Sequence, residues 1–159
     1  MIALTILTVG TVKEPYLRQG IDEYVKRLSA YATVDIREIR EEKIANEQNV
    51  AEVRTALIAE GQKLLAAAPK GAYRVALCVE GKLLASEELA ACIDRAVSET
   101  GKICFFIGSS HGLSDEVKRA ADLRLSVSPL TFPHQLMRLI LTETLYRSMT
   151  ILAGKTYHK

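Results

Sequence analysis

Residues 103–112 read Ile103-Cys104-Phe105-Phe106-Ile107-Gly108-Ser109-Ser110-His111-Gly112. An unbroken apolar run that stops at small, turn-forming residues describes a buried strand running straight into a loop. Working outward, the same signature recurs. Ile2 to Val9 is an apolar run closed by Gly10, and Tyr73 to Val79 and Leu123 to Val127 are two more. Val34, Ile36 and Ile39 outline a further, more polar strand. Helical spacing fills the gaps. Leu17, Ile21, Tyr24, Val25 and Leu28 follow Glu14-Pro15; Val50, Val53, Leu57, Leu64 and Leu65 form a second helix that should end before Pro69, with Gly61 as a blemish. Ser86 is expected to cap a third helix carrying Leu89, Cys92, Ile93 and Val97 and ended by Gly101, and Ser114 a short fourth. The last helix is expected from about His134 to Ala153, with Pro133 in its first turn and Thr131 or Phe132 as its cap. Strands alternating with helices predict an α/β fold: a mostly parallel sheet flanked by helices on both faces.

Composition narrows the class. The chain has 159 residues, 48% of them hydrophobic and 25% charged. This suits a single domain over residues 1–159 and excludes general disorder. The cysteines, Cys78, Cys92 and Cys104, are three in number, fit no zinc spacing and sit among apolar neighbours. They read as small buried hydrophobes, with no metal site. No stretch reaches the ~18 apolar residues of a spanning helix. The first residues lack the basic flank and cleavage site of a secretion signal, so a cytoplasmic protein without membrane attachment is expected. Net charge is only +2, so any nucleic-acid surface must be a local patch or one shared between two subunits.

Three features could carry chemistry, all near the carboxyl ends of late strands, where open α/β sheets bind ligands. The Gly108–Gly112 loop is neither a Walker loop nor a dinucleotide fingerprint; a tight turn and a binding loop explain it equally. Ser126-Val127-Ser128-Pro129-Leu130-Thr131-Phe132-Pro133-His134-Gln135 is a stiff connection that can hold an aromatic ring, or simply a packed helix cap. His134 and Arg138, and Glu143 and Arg147, lie four apart on faces of the last helix; the second pair reads as an ordinary ion pair. The tail Gly154-Lys155-Thr156-Tyr157-His158-Lys159 combines cations, an aromatic ring and an imidazole, a set suited to phosphate and base. Leu136, Met137, Leu139, Ile140, Leu141, Leu145, Tyr146, Met149, Ile151 and Leu152 make the last helix apolar over most of its circumference. One sheet face cannot bury that much, so homodimerisation through this helix is expected, the alternative being that the short helix after Ser114 covers the remainder.

Phe105-Phe106-Ile107-Gly108, Ser128 to Leu136, Glu143-Thr144-Leu145-Tyr146-Arg147 and Tyr157-His158-Lys159 together resemble the RlmH family, the bacterial large-subunit ribosomal RNA pseudouridine N3-methyltransferases of the SPOUT class. The resemblance spans essentially the whole chain and includes the Glu80-Gly81-Lys82 turn. It implies a C-terminal trefoil knot, a homodimer and S-adenosyl-L-methionine as cofactor. It implies cofactor contacts at Leu77, Gly108, Val127, Ser128, Pro129, Leu130, Thr131 and Phe132. The implied substrate is a modified uridine of 23S rRNA within the 70S ribosome. Ser109 stands where the family usually has a second glycine. Catalysis would depend mainly on aligning donor and acceptor, with help in removing the N3 proton. His134, Arg138, Tyr157 and His158 are the candidate catalytic residues. Arg138 would supply positive charge, and the tail would close over the base. Two rival readings are a SPOUT enzyme acting on transfer RNA and a non-enzymatic ribosome-binding factor.

Overall fold

A computed structural model describes residues 1–158 of the chain. Strands β1 (Ile2–Val9), β2 (Ala32–Ile39), β3 (Tyr73–Leu83), β4 (Lys102–Ile107) and β5 (Leu123–Ser126) alternate with helices α1 (Pro15–Leu28), α2 (Val50–Ala67), α3 (Ser86–Thr100), α4 (Asp115–Ala120) and α5 (His134–Leu152). The strands form one sheet in the order β2-β1-β4-β3-β5, and every neighbouring pair is parallel. This is the α/β class expected from the alternation of signals.

Side-chain alternation divides the core into two layers. Leu4, Ile6, Val75, Ile103, Phe105 and Ile107 point to the face covered by α1, α3 and α5. Leu7, Val9, Ala76, Cys104 and Phe106 point to the face covered by α2 and α4. Phe105 and Phe106, adjacent in β4, are both fully buried on opposite sides, so the apolar run needed no polar positions. β2 is one of the two edge strands, with Thr33, Asp35, Arg37 and Glu38 exposed, which accounts for its polar sequence.

Several expectations shift at the element ends. β3 continues past Val79 to Leu83, because residues 78–81 bulge out while Leu77 and Lys82 both pair with Leu125. The expected Glu80-Gly81-Lys82 turn is part of this bulge. A Cβ on Gly81 would lie 2.8 Å from the main chain of Arg124 and Leu125, so β5 can approach only a glycine there. Ser86 is the first residue of α3 rather than its cap; Ala85 holds that position and gives its N–H to Glu88 Oε1 at 2.8 Å. Pro133, not Thr131 or Phe132, occupies the cap of α5. Ser114 caps α4 as expected, accepting the Val117 N–H, and Gly101 ends α3 in the left-handed region.

The buried face of α2 is rotated from the expected one. Ala56, Glu60, Gly61 and Leu64 are buried, whereas Val50 is 73% exposed and Val53 and Leu57 line a surface groove. Gly61 sets this rotation: a Cβ there would collide with Ser114 Oγ, so the glycine lets α2 press against the start of α4. The blemish is the contact point.

The short helix does not cover α5. α4 packs on α2 and β3, while α5 packs on α1 and α3 across the opposite face. Leu136 and Leu139 join Val12, Leu17 and Ile21, and Gly20 of α1 admits Leu139 so closely that a Cβ there would lie 2.9 Å from it. Part of the excess apolar surface of α5 is therefore taken up by α1. Ile140, Thr144 and Ile151 remain half-buried. Cys104 is buried, and its thiol is pushed up to about 12 by burial; Cys78 and Cys92 are only partly buried, and all three are free.

Candidate active site

Three chain segments meet beyond the carboxyl ends of β3, β4 and β5 around a cavity of about 300 Å³. Leu77 to Glu80 comes from the β3 bulge, Ile107 to Leu113 from the loop after β4, and Val127, Ser128, Leu130, Thr131 and Phe132 from the connection to α5. Lys118 of α4 and His134 and Met137 of α5 complete the wall. Of the expected cofactor contacts, Leu77, Gly108, Val127, Ser128, Leu130, Thr131 and Phe132 line this cavity; Pro129 does not.

Local chemistry holds the walls in shape. The Gly108–Gly112 loop is a tight turn in which the Gly112 N–H reaches the Ser109 carbonyl at 2.9 Å. A Cβ on Gly108 would strike the Gly112 carbonyl, and Gly112 itself sits at φ +87°. Both glycines are thus required by the turn. Ser109, standing where a second glycine was expected, is 7% exposed, and its hydroxyl accepts the His111 N–H at 3.2 Å. In the other loop, Ser126 Oγ donates to the Ser128 carbonyl, and Ser128 Oγ accepts the Leu130 N–H, both at 3.0 Å. The serines use their own hydrogen bonds to fix a segment that leaves Leu130 70% exposed at the cavity.

The cavity carries two polar points missed by the sequence reading. Lys118 Nζ lies 2.5 Å from Glu80 Oε1 and holds that carboxyl below its ordinary range. Cys78 also lines the wall, its thiol pushed up by burial.

The candidate catalytic residues separate into two groups. His134 lines the cavity. Burial lowers its pKa, the neighbouring Arg138 adds to the effect, and Glu41 opposes it. The imidazole is therefore neutral at neutral pH. Arg138 is 4% exposed and does not reach the cavity wall. Its guanidinium donates to Glu38 Oε2 at 2.7 Å, Thr8 Oγ1 at 2.8 Å and the Gly10 carbonyl at 3.2 Å. Its charge is balanced by Glu38, and it ties the start of α5 to the ends of β1 and β2.

Tyr157 and His158 lie on the outside of α1, α3 and α5. Tyr157 packs edge-on against Tyr146 with centroids 4.7 Å apart, and its hydroxyl reaches Glu143 at 3.0 Å and Tyr24 at 3.3 Å. Burial and these two hydrogen bonds push its pKa up. Arg147, which pairs with Glu143 at 2.5 Å as the spacing suggested, stands over the Tyr157 ring. His158 Nε2 lies 2.8 Å from Glu87 Oε1. Neither residue lines the cavity of its own chain. Lys159, the end of the expected tail motif, lies outside the described residues. Among the described residues no group of three His, Cys, Asp or Glu side chains is placed to hold a metal ion, and no helix is long and apolar enough to cross a membrane.

A parallel sheet whose cavity is walled by three strand-end loops, with the last helix returning across the face of the first, matches a known family. The model described as "Predicted SPOUT methyltransferase" covers residues 2–158, and the chain belongs to the SPOUT methyltransferase family. Its relatives are more particular. It is 47% identical over 157 residues to the ribosomal RNA large subunit methyltransferase H of Bacillus pumilus, covering 98% of this chain and 99% of that one. It is 48% identical, with the same coverage, to the protein of that name in Clostridioides difficile. Among solved structures, a probable methyltransferase from Bordetella pertussis Tohama I superimposes with a TM-score of 0.56 at 14% identity, covering 92% of this chain and 93% of that one. That likeness speaks for the fold.

Proposed function

We propose that this chain is an S-adenosyl-L-methionine-dependent methyltransferase that methylates N3 of a pseudouridine in 23S rRNA of the assembled 70S ribosome. It works in the cytoplasm as a homodimer, with its C-terminal segment threaded as a trefoil knot. The observation that carries this reading is the convergence of Leu77–Glu80, Ile107–Leu113 and Val127–Phe132 on one cavity. The relatives bearing a ribosomal RNA methyltransferase name match this chain over nearly the whole of their length.

The residues present fit the cofactor. The cavity is at the lower end of the roughly 300–1,000 Å³ typical of small-molecule sites, and its apolar wall of Leu77, Ile107, Leu130, Phe132 and Met137 is interrupted by main chain and hydroxyls. Gly108 brings bare backbone to the wall. The bound cofactor would supply an electrophilic methyl group on a sulfonium. The protein's part is to hold the acceptor in line and to exclude water. N3 of the acceptor ring must lose a proton, and His134, neutral and at the cavity edge, is the group placed to hold it. Arg138 acts by fixing the helix end that carries His134, with its charge already answered by Glu38.

Exposed apolar residues support the dimer: Val79, Val127 and Leu130 at the cavity, and Leu83 at the end of β3. Together with the half-buried Ile140 they give a second copy something to cover. Because Tyr157 and His158 dock away from their own cavity, their part in the reaction is played at the partner's cavity.

The test is to incubate the purified protein with methyl-labelled cofactor and unmodified ribosomes, free 23S rRNA or transfer RNA, and to map the labelled nucleotide. Labelling of one pseudouridine on ribosomes is expected. Labelling of transfer RNA instead, or no calorimetric heat with the cofactor, rejects the reading. Sedimentation at micromolar concentration should give a dimer.

A further inference from the structure

Among the described residues, the cavity wall holds one carboxylate, Glu80, and one ammonium, Lys118. Glu80 belongs to the β3 bulge and Lys118 to the short helix α4. Oε1 and Nζ lie 2.5 Å apart, with the glutamate side chain 57% and the lysine side chain 21% exposed. The hydrogen bond from the ammonium is the main reason that the carboxyl sits below its ordinary range, and Arg124 adds a smaller pull. Both charges stand on fixed backbone. Gly81, next to Glu80, is wedged against the main chain of Arg124 and Leu125. Val117, next to Lys118, is fully buried.

A salt bridge this wet does little for the fold, because water screens it and two long side chains must be held still to make it. It is also only partly used. An ammonium has three donors and a carboxylate two accepting oxygens. The salt bridge engages Oε1 and a single N–H, so each group can still take a partner of opposite charge. A lone anion placed there would meet Glu80 as well as Lys118, and a lone cation the reverse. The ligand group that answers both is one that carries an anion and a cation side by side, as an α-amino acid does. Leu77, Ile107, Leu130, Phe132 and Met137 leave the rest of the wall apolar, a lining that suits the uncharged adenosine but offers nothing to a zwitterion.

We propose that Lys118 and Glu80 form the receptor for the amino-acid arm of the cofactor, the Lys118 ammonium taking the arm's carboxylate and the Glu80 carboxylate taking its ammonium. This rests on the methyltransferase reading above. It divides the cavity by chemistry, with the arm held between the β3 bulge and α4 and the adenosine left to the apolar wall. It gives α4, a helix of six residues, a part in binding through one side chain. The product of methyl transfer keeps the same arm, so the pair grips cofactor and product alike. What it selects against is any adenosyl compound without the arm.

The experiment is calorimetric titration of two thioethers, S-adenosyl-L-homocysteine and methylthioadenosine, into wild type, Lys118→Met and Glu80→Gln. The two ligands share adenine, ribose and sulfur, and only the first has the amino-acid arm. Urea unfolding verifies that each variant is folded. Wild type should bind S-adenosyl-L-homocysteine more tightly than methylthioadenosine by about ten-fold or more, the effect of charge-assisted hydrogen bonds to the arm. Lys118→Met should weaken S-adenosyl-L-homocysteine about ten-fold, and Glu80→Gln, which keeps an oxygen but not the charge, about three-fold. Methylthioadenosine should stay within about two-fold of its wild-type affinity in both variants, since it makes no contact with either charge. Equal wild-type affinity for the two ligands overturns the proposal. So do equal losses for both ligands, the mark of a pair that only braces the wall, and unchanged S-adenosyl-L-homocysteine affinity in either variant. If Lys118→Met fails to fold, Glu80→Gln decides by the same comparison: a loss confined to the ligand with the arm supports the proposal, and any other result overturns it. Wild type that binds neither S-adenosyl-L-homocysteine nor S-adenosyl-L-methionine overturns the methyltransferase reading itself, a result distinct from any difference between ligands or variants.

Discussion

Replacing Arg138 by methionine tests whether the residue works by charge at the reaction or by holding the fold together. Methionine keeps much of the stem's volume and removes three hydrogen bonds, to Glu38, Thr8 and the Gly10 carbonyl. Deleting one partner of a buried ion pair typically costs about 3–5 kcal/mol, because the other charge is stranded. Here the Glu38 side chain is still 35% exposed, so water rescues part of that charge and the pair itself counts for less. The bond to Thr8 is in a dry environment, Thr8 being 1% exposed, and the one to Gly10 is partly buried. The net loss should be about 2–3 kcal/mol of folding stability. Urea unfolding followed by circular dichroism measures it. The midpoint should drop with the slope unchanged. Single-turnover methylation under conditions where the variant is folded should then fall only as far as His134 is displaced. Wild-type stability together with a collapsed single-turnover rate would refute this reasoning and return Arg138 to the role of a charge acting directly on the substrate.

Gly108→Ala places a Cβ against the Gly112 carbonyl; the loop must open, stability should fall by about 1–3 kcal/mol, and cofactor binding by calorimetry should be lost, so retained affinity would remove this turn from the site. His134 should titrate below the usual histidine value near 6.5, since burial lowers its pKa. For a base with a depressed folded pKa, stability is full above the unfolded value and declines as pH falls through the folded one; an NMR midpoint at or above 6.5 would contradict the buried, neutral imidazole. Glu60 runs the other way. Its raised pKa means its contribution is full below the unfolded carboxyl value and is lost as pH rises through the folded one. Glu60→Gln should therefore gain stability relative to wild type as pH climbs above about 4.5 in urea titrations, and a constant difference would contradict the burial effect. Deleting residues 157–159 should abolish methylation of ribosomes while leaving cofactor affinity within about two-fold, because Tyr157 and His158 do not line the cavity; full activity would remove the tail from the mechanism.

The sheet was legible because its strands are buried on both faces: β1 and β4 can only be read as apolar runs, and their limits emerged to within a residue. β2 was faint for the opposite reason, being an edge with one side in water. The rotation of α2 was hidden because its buried face uses Ala56, Glu60 and Gly61, residues that carry no hydrophobic signal, while Val50 and Leu57 do. The cavity loops were visible as small and proline-rich residues after strands, and the residues that the family resemblance implied, Pro129 apart, line one cavity. What could not be read was the company each side chain keeps. Arg138 and His134 share a helix face by spacing, but Glu38 and Thr8 come from 100 and 130 residues away. Only the folded chain shows that one residue turns inward to them while the other faces the cavity. Lys118 at Glu80 is likewise a partnership of distant segments.

The order of the chain through the cavity has a consequence for how the protein is made. All three loops of the wall come after residue 76, and α5, the last helix, must settle on α1, the first. A growing chain lacking its final quarter can assemble β1, β2, β3 and β4 and two segments of the wall, but it has neither Val127–Phe132 nor His134 and Met137 to close the cavity. Competence to bind arrives as a single late event. Ligand supplied during refolding would therefore deepen the last well on the landscape without speeding any earlier step.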